Sequence, residues 1–219
     1  MNRKAAQTYF EKWLDSVSIG AGDKPDVPML KVDRDGVSPI LSASGMVARS
    51  EELTSEIKKV GCEIVADWNS SRNIEGTLYL IYSRANNGSL VPHYLGKCSS
   101  AGKDGKKRST LWPNEGRFGE KIGSMGHIGN LNEALFQGKP HYAGWVEKFF
   151  ENPGPPLRLK FPVFVYIEKW TVASTSIIHD LPLTLHNPTL HVEESLRIWV
   201  IQRAFGPDLL LNRDGIDRR

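Results

Sequence analysis

The sequence predicts an α+β fold: a small three-stranded, mainly antiparallel sheet flanked by helices, preceded by a helical N-terminal extension. Three observations carry this expectation. Two β-rich runs, Thr77-Leu78-Tyr79-Leu80-Ile81-Tyr82 and residues 90–95, flank the turn sequence Asn86-Asn87-Gly88-Ser89 and read as a hairpin. A third apolar run, holding Phe161, Val163, Phe164, Val165, Tyr166 and Ile167, reads as a central strand buried on both faces. Segments with apolar residues at three- and four-residue spacing lie on both sides of these runs. The expected division is an extension over residues 1–69 and a second domain over residues 70–219.

Composition bounds the answer. At 219 residues the chain is long enough to bury a sizeable core without staples. Hydrophobic residues at 40% and charged residues at 24% exclude a disordered chain. No run approaches the roughly 18 apolar residues of a spanning helix, so no membrane partner is expected. The basic start, Met1-Asn2-Arg3-Lys4, is followed by Glu11 and Lys12 where a signal peptide needs an apolar stretch, which points to a cytoplasmic protein. The two cysteines, Cys62 and Cys98, have no CxxC or Cys/His spacing for zinc. A net charge of +3 is too mild to identify a nucleic-acid partner by itself, so the local clustering of charge has to decide.

Taken in order, Tyr9, Phe10, Trp13, Leu14 and Val17 share one side of a first helix, and Leu53, Ile57, Val60, Ile64 and Trp68 share one side of a second. Gly, Asp and Pro between them mark residues 19–39 as a loop. After the hairpin, residues 99–116 form a loop of Ser, Gly, Lys and Arg, followed by a helix through Phe118, Ile122 and Met125. A further amphipathic helix over residues 142–150 ends at Asn152-Pro153-Gly154-Pro155-Pro156. The last helix, residues 192–205, is announced by Asn187-Pro188-Thr189 and stopped by Gly206-Pro207.

Chemistry-bearing residues are spread over these elements. Tyr79 and Tyr94 sit on paired strands, so antiparallel pairing brings both phenols to one face, although buried strand tyrosines are also common as core. Gly96 permits a close approach at the strand end, where Lys97 adds a cation. Lys103, Lys106, Lys107 and Arg108 are opposed only by Asp104, a composition found both in solvated loops and in loops that contact DNA phosphates. Arg117 precedes Lys121 by four residues, and a guanidinium suits a phosphate in transfer because its planar fork meets two oxygens. Glu193 and Glu194 open the last helix, where the helix dipole favours carboxylates and where one of them could also ligate a hard cation.

The order of these residues resembles the GIY-YIG nuclease superfamily. The first motif reads Thr77-Leu78-Tyr79 and the second Tyr94-Leu95-Gly96. The C-terminal motif reads Val192-Glu193-Glu194-Ser195-Leu196, followed by Pro207 and Leu211-Asn212. The likeness covers about residues 76–213, and the run of the second motif into Lys97 is similar to the restriction-endonuclease branch. It departs from the pattern in Thr77-Leu78, which stands where the family has glycine and isoleucine.

The resemblance implies a Mg²⁺- or Mn²⁺-dependent endonuclease that hydrolyses DNA phosphodiesters in restriction or phage defence. Double-stranded DNA is the implied partner, and a homodimer the simple route to cutting both strands. Tyr79 would orient or deprotonate the attacking water with help from Tyr94, Arg117 would stabilise the pentavalent phosphorus, and Glu193 would bind the metal. Glu194 is the alternative ligand if the helix is turned by one residue. Lys97 would contact phosphate or lower the Tyr79 pKa, and Lys121 or His127 would partner the arginine. The competing expectation is a catalytically silent nucleic-acid-binding module of the same fold. The two differ in where Glu193 faces relative to the tyrosines.

Overall fold

The computed structural model describes residues 1–19, 25–41, 47–101, 147–152, 156–178 and 188–212. Helix α1, Arg3–Val17, starts where the Asn2 side chain accepts a hydrogen bond from the Ala5 amide at 2.9 Å, and it stops at Ser18 in the left-handed region, φ 53°. Its apolar stripe buries Ala6, Phe10 and Trp13. Helix α2, Glu51–Trp68, is capped by the Ser50 hydroxyl, which accepts from the Leu53 amide at 2.9 Å. It buries Leu53, Ile57, Val60 and Ile64. Beyond its end, the Asp67 carboxylate accepts the amides of Asn73 at 3.2 Å and Ile74 at 2.8 Å, which turns the chain into the first strand.

Strands β1, Ile74–Arg84, and β2, Leu90–Ser99, form the expected hairpin, and β3, Phe164–Thr171, completes an antiparallel sheet in the order β2-β1-β3. Helix α3, Leu190–Phe205, follows the sheet. The α+β class with a three-stranded antiparallel sheet is therefore as the sequence predicts. One strand assignment needs correction. The run read as a central strand is the edge strand β3, and the central strand is β1, buried from Gly76 through Ser83. In the second half of β3, Glu168 and Lys169 interrupt the apolar run and pair with Arg197 and Glu63.

Alternation along β1 sorts the core into two layers. Tyr79 and Ile81 face α2 and join Met29, Leu53, Ile57 and Ile64. Leu80 and Tyr82 face the opposite way and meet Phe10, Trp13, Ile198 and Ile201 of α1 and α3. Side chains from residues 1–69 thus fill both layers around the sheet. The segment expected to be a plain loop before α2 also contributes extended backbone. Val165 donates its amide to Val27 at 2.9 Å and Met29 to Val163 at 2.8 Å, so this segment pairs with the outer edge of β3. Its Pro and Gly content concealed the pairing, because the partner strand lies far away in sequence.

Close approach governs how α3 meets the sheet. Gly76 has φ +150°, and a Cβ there would lie 2.7 Å from a Leu190 methyl and 2.9 Å from the Ser99 Cα. The α3 N-terminus is capped from β1: the Glu75 carboxylate accepts the Leu190 amide at 2.6 Å, and Thr189 makes no side-chain cap.

His93 lies in the core against Phe149 and Phe161, its ring stacked on Phe161 at 5.2 Å and 18°, and its Nε2 is 2.8 Å from the Ser83 hydroxyl. Burial, with a smaller push from the Lys148 charge, holds its pKa down at about 4. The folded state therefore binds this proton less readily than the unfolded chain. The stabilisation is fully present above about pH 6.5 and is lost as pH falls toward 4. Unfolding in urea is expected to show about 2 kcal/mol less stability at pH 5 than at pH 7 from this residue. His93→Gln should flatten that difference, and an unchanged pH slope in the variant would assign the loss to other groups.

Candidate functional site

The hairpin register places Tyr79 opposite Gly96 and Tyr94 opposite Ile81, so both phenols lie on the α2 side of the sheet. Their ring centroids are 5.8 Å apart with planes tilted by 33°. Tyr79 is 2% exposed, and the end of its ring crosses over Gly96. A Cβ at that position would stand 2.5 Å from both the Cζ and the Oη of Tyr79 and 2.7 Å from Cε1 of Tyr94. Glycine in Tyr94-Leu95-Gly96 is thus the residue that lets one phenol lie across the partner strand.

Lys97 and the two glutamates lie on the other face. Lys97 is opposite Leu78, whose side chain packs with Trp170 and Leu190 on the α3 side. Its ammonium donates to Oε2 of Glu194 and lies 2.8 Å from Nδ1 of His191. The same Glu194 oxygen is 3.8 Å from that ring nitrogen. Glu194 is only 16% exposed and His191 is 76% exposed, so the cluster opens to solvent on the histidine side. β2 is an edge strand, and the tyrosine pair and the Lys97 cluster flank that edge from opposite faces.

The two halves are coupled electrostatically. The Tyr79 pKa is raised well above the usual phenol value, first by burial, then by the nearby Tyr94 and Cys98, a hydrogen bond to Tyr94 and the negative charge of Glu194. The expectation that Lys97 lowers this pKa is not met. Lys97 is engaged by Glu194 on the far side of β2, and the desolvated phenol keeps its proton.

Glu193 takes a different place from the one expected of a metal ligand. It is 0% exposed and turned into the core, where it accepts from the Ser176 hydroxyl at 2.7 Å, the Ile177 amide at 3.1 Å and Nε of Arg197 at 2.6 Å. Arg197 is itself 1% exposed and donates to Glu168 at 2.5 Å and 3.3 Å. Its guanidinium lies 4.6 Å from the Trp13 ring and 5.2 Å from the Trp170 ring. With both oxygens engaged by this network, Glu193 is a structural anchor. Helical geometry then directs the next residue, about 100° around the axis, toward Lys97.

Asn212 supports the second motif directly. Its side-chain Oδ1 accepts the Leu95 amide at 3.0 Å and its Nδ2 donates to the Leu95 carbonyl at 2.6 Å, while the Leu211 amide donates to the His93 carbonyl at 2.8 Å. These bonds cover the outer edge of β2 beside the tyrosines. Arg117, Lys121, His127 and the basic loop residues Lys103, Lys106, Lys107 and Arg108 lie outside the described residues.

Among the described residues no group of three or more His, Cys, Asp or Glu side chains could hold a metal ion, and no helix is long and apolar enough to cross a membrane. A cation bound by one protein carboxylate, with water and phosphate completing its shell, needs no such group. Glu194 fits that donor set, as a largely shielded carboxylate with one oxygen engaged by Lys97. His191 and the Arg197 network were missed from sequence. The first stands three residues before Glu194, one helical turn away, and that spacing was the available signal. No protein-family model, curated protein or solved structure matches the chain.

Proposed function

We propose that the chain is a divalent-metal-dependent endonuclease of GIY-YIG type that hydrolyses phosphodiester bonds of double-stranded DNA, working in the cytoplasm in restriction or phage defence. The observation that carries this reading is the Tyr79–Tyr94 pair lying over Gly96 on one face of the β2 edge, with Lys97 and Glu194 on the opposite face of the same edge. The resemblance assigns Tyr79, which keeps its proton, the orienting of the attacking water through its hydroxyl. Tyr94 holds that hydroxyl in place. Lys97 donates to a non-bridging phosphate oxygen, which favours the charge that develops as water attacks phosphorus and gives up a proton to bulk solvent, while the P–O bond to the leaving strand breaks and the leaving oxygen takes a proton from solvent. Glu194, in place of Glu193, is the residue that would hold Mg²⁺ or Mn²⁺, and when bound the cation neutralises charge on the phosphate. The resemblance assigns the second phosphate cation to Arg117, and backbone tracking to Lys103, Lys106, Lys107 and Arg108. Each site cuts one strand, so a homodimer is the simple arrangement for a double-strand break.

Incubation of supercoiled plasmid with the protein and Mg²⁺ is expected to give nicked circles, and a chelator should stop the reaction. Glu194→Gln and Tyr79→Phe should each lower nicking by at least about 100-fold while gel-shift affinity for DNA is retained. The second reading, a DNA-binding module without chemistry, is favoured by the turn of Glu193 into the core and by the burial of Tyr79. It predicts a gel shift with no nicking by the unaltered protein at any metal concentration.

A further inference from the structure

A lysine on an edge strand ordinarily samples many rotamers, and holding it still costs side-chain entropy. Lys97 is held from two sides. Glu194 takes one ammonium hydrogen through Oε2, and His191 Nδ1 lies 2.8 Å from the same nitrogen. An ammonium has only hydrogens to give, so Nδ1 must be the acceptor and the ring carries its own hydrogen on Nε2. Two of the three ammonium hydrogens are then committed, and one remains for a ligand. The Glu194 contact alone would leave Lys97 free to swing about a single bond, whereas a second acceptor on the preceding turn of α3 defines its direction.

From this geometry we infer that His191 is a positioning residue: through Nδ1 it aims the Lys97 ammonium so that its remaining hydrogen meets a phosphate oxygen of the DNA. The inference rests on the nuclease reading of the same site. It separates His191 from a phosphate contact, because the role lies in Nδ1 and needs nothing from Nε2. It also explains why a histidine that is 76% exposed has its ring nitrogen within hydrogen-bond distance of a lysine.

Three substitutions distinguish these roles. Asparagine places an amide oxygen close to where Nδ1 stands, glutamine places an amide nitrogen close to Nε2, and alanine keeps neither. His191→Asn is expected to retain plasmid nicking within about threefold. His191→Ala and His191→Gln should each lower kcat by about tenfold or more, with DNA affinity changed less than about twofold. A second readout needs no nuclease activity. The acylation rate of Lys97 by an N-hydroxysuccinimide ester, followed by peptide mass spectrometry on the intact protein without DNA, should rise several-fold in His191→Ala and His191→Gln and stay near the unaltered value in His191→Asn.

If the acylation pattern holds while the unaltered protein fails to nick, the nuclease reading fails and the anchoring of Lys97 stands, without its role toward a scissile phosphate. If His191→Gln behaves like the unaltered protein and His191→Asn like His191→Ala, the ring acts through Nε2 and the inference is overturned. Equal Lys97 reactivity in all four proteins overturns it as well.

Discussion

Glu193→Ala is expected to lower the unfolding free energy by about 3–5 kcal/mol, whereas Glu194→Gln should cost less than about 1 kcal/mol. The carboxylates are neighbours in sequence and differ in what surrounds them. Removing Glu193 leaves the Arg197 guanidinium 1% exposed with one of its two carboxylate partners gone, and it also strips the Ser176 hydroxyl and the Ile177 amide of their acceptor. Buried donors that lose their carboxylate acceptor are the expensive outcome. Arg197 keeps Glu168, but its Nε, the Ser176 hydroxyl and the Ile177 amide lose Glu193, at about 1–3 kcal/mol each, and a domain has only about 5–15 kcal/mol of net stability. Glu194 is partly solvated and its partner Lys97 can turn to water. Urea midpoints of the two variants, measured beside plasmid nicking, separate the roles. Loss of nicking in a fully stable Glu194→Gln protein is the expected pattern. A stable Glu193→Ala protein that alone loses nicking would return the metal to Glu193.

Gly96→Ala is the second large effect. The φ of Gly96 lies outside the left-handed region, so alanine meets no backbone penalty and the whole cost comes from contact. The new methyl lands 2.5 Å from Cζ and Oη of Tyr79, a side chain that is only 2% exposed. Overpacking of this kind costs about 1–3 kcal/mol. The functional loss should exceed the loss of stability, because displacing a reacting group by about 1 Å lowers rates by about 100-fold. The expected result is a protein that melts a few degrees lower, still shifts DNA in a gel and no longer nicks it. Full nicking by Gly96→Ala would show that the Tyr79 hydroxyl is not needed where it stands.

Much of the fold is legible in the residues themselves. The Asn86-Asn87-Gly88-Ser89 turn between two β-rich runs specifies a hairpin, and in it Ala85 donates to the Ser89 carbonyl at 2.9 Å with Gly88 at φ +80°. The three- and four-residue apolar spacing locates α1 and α2 to within a few residues, and Asn2 and Ser50 cap them as their types suggest. The tyrosine pair was also readable, because period-two alternation across a short turn leaves little choice of face.

The remaining features depend on distance and orientation, which local pattern does not encode. Nothing in Glu193-Glu194 tells which residue faces the core. That choice follows from Arg197, one turn on, meeting Glu168 of β3 between Trp13 and Trp170. A pair of adjacent carboxylates sits about 100° apart on a helix, so once the buried guanidinium captures one, the other is directed to Lys97. The Tyr79 pKa likewise rises because packing removes water from the phenol, a property of its enclosure that no neighbour in sequence reveals. Sequence by itself therefore determined the hairpin, the principal helices and the pairing of the two tyrosines, all consequences of short-range periodicity and turn chemistry. Tertiary structure alone decided which glutamate is an anchor, which lies beside Lys97, and that His191 joins them, because burial and long-range charge pairing arise only when the sheet and α3 are brought together.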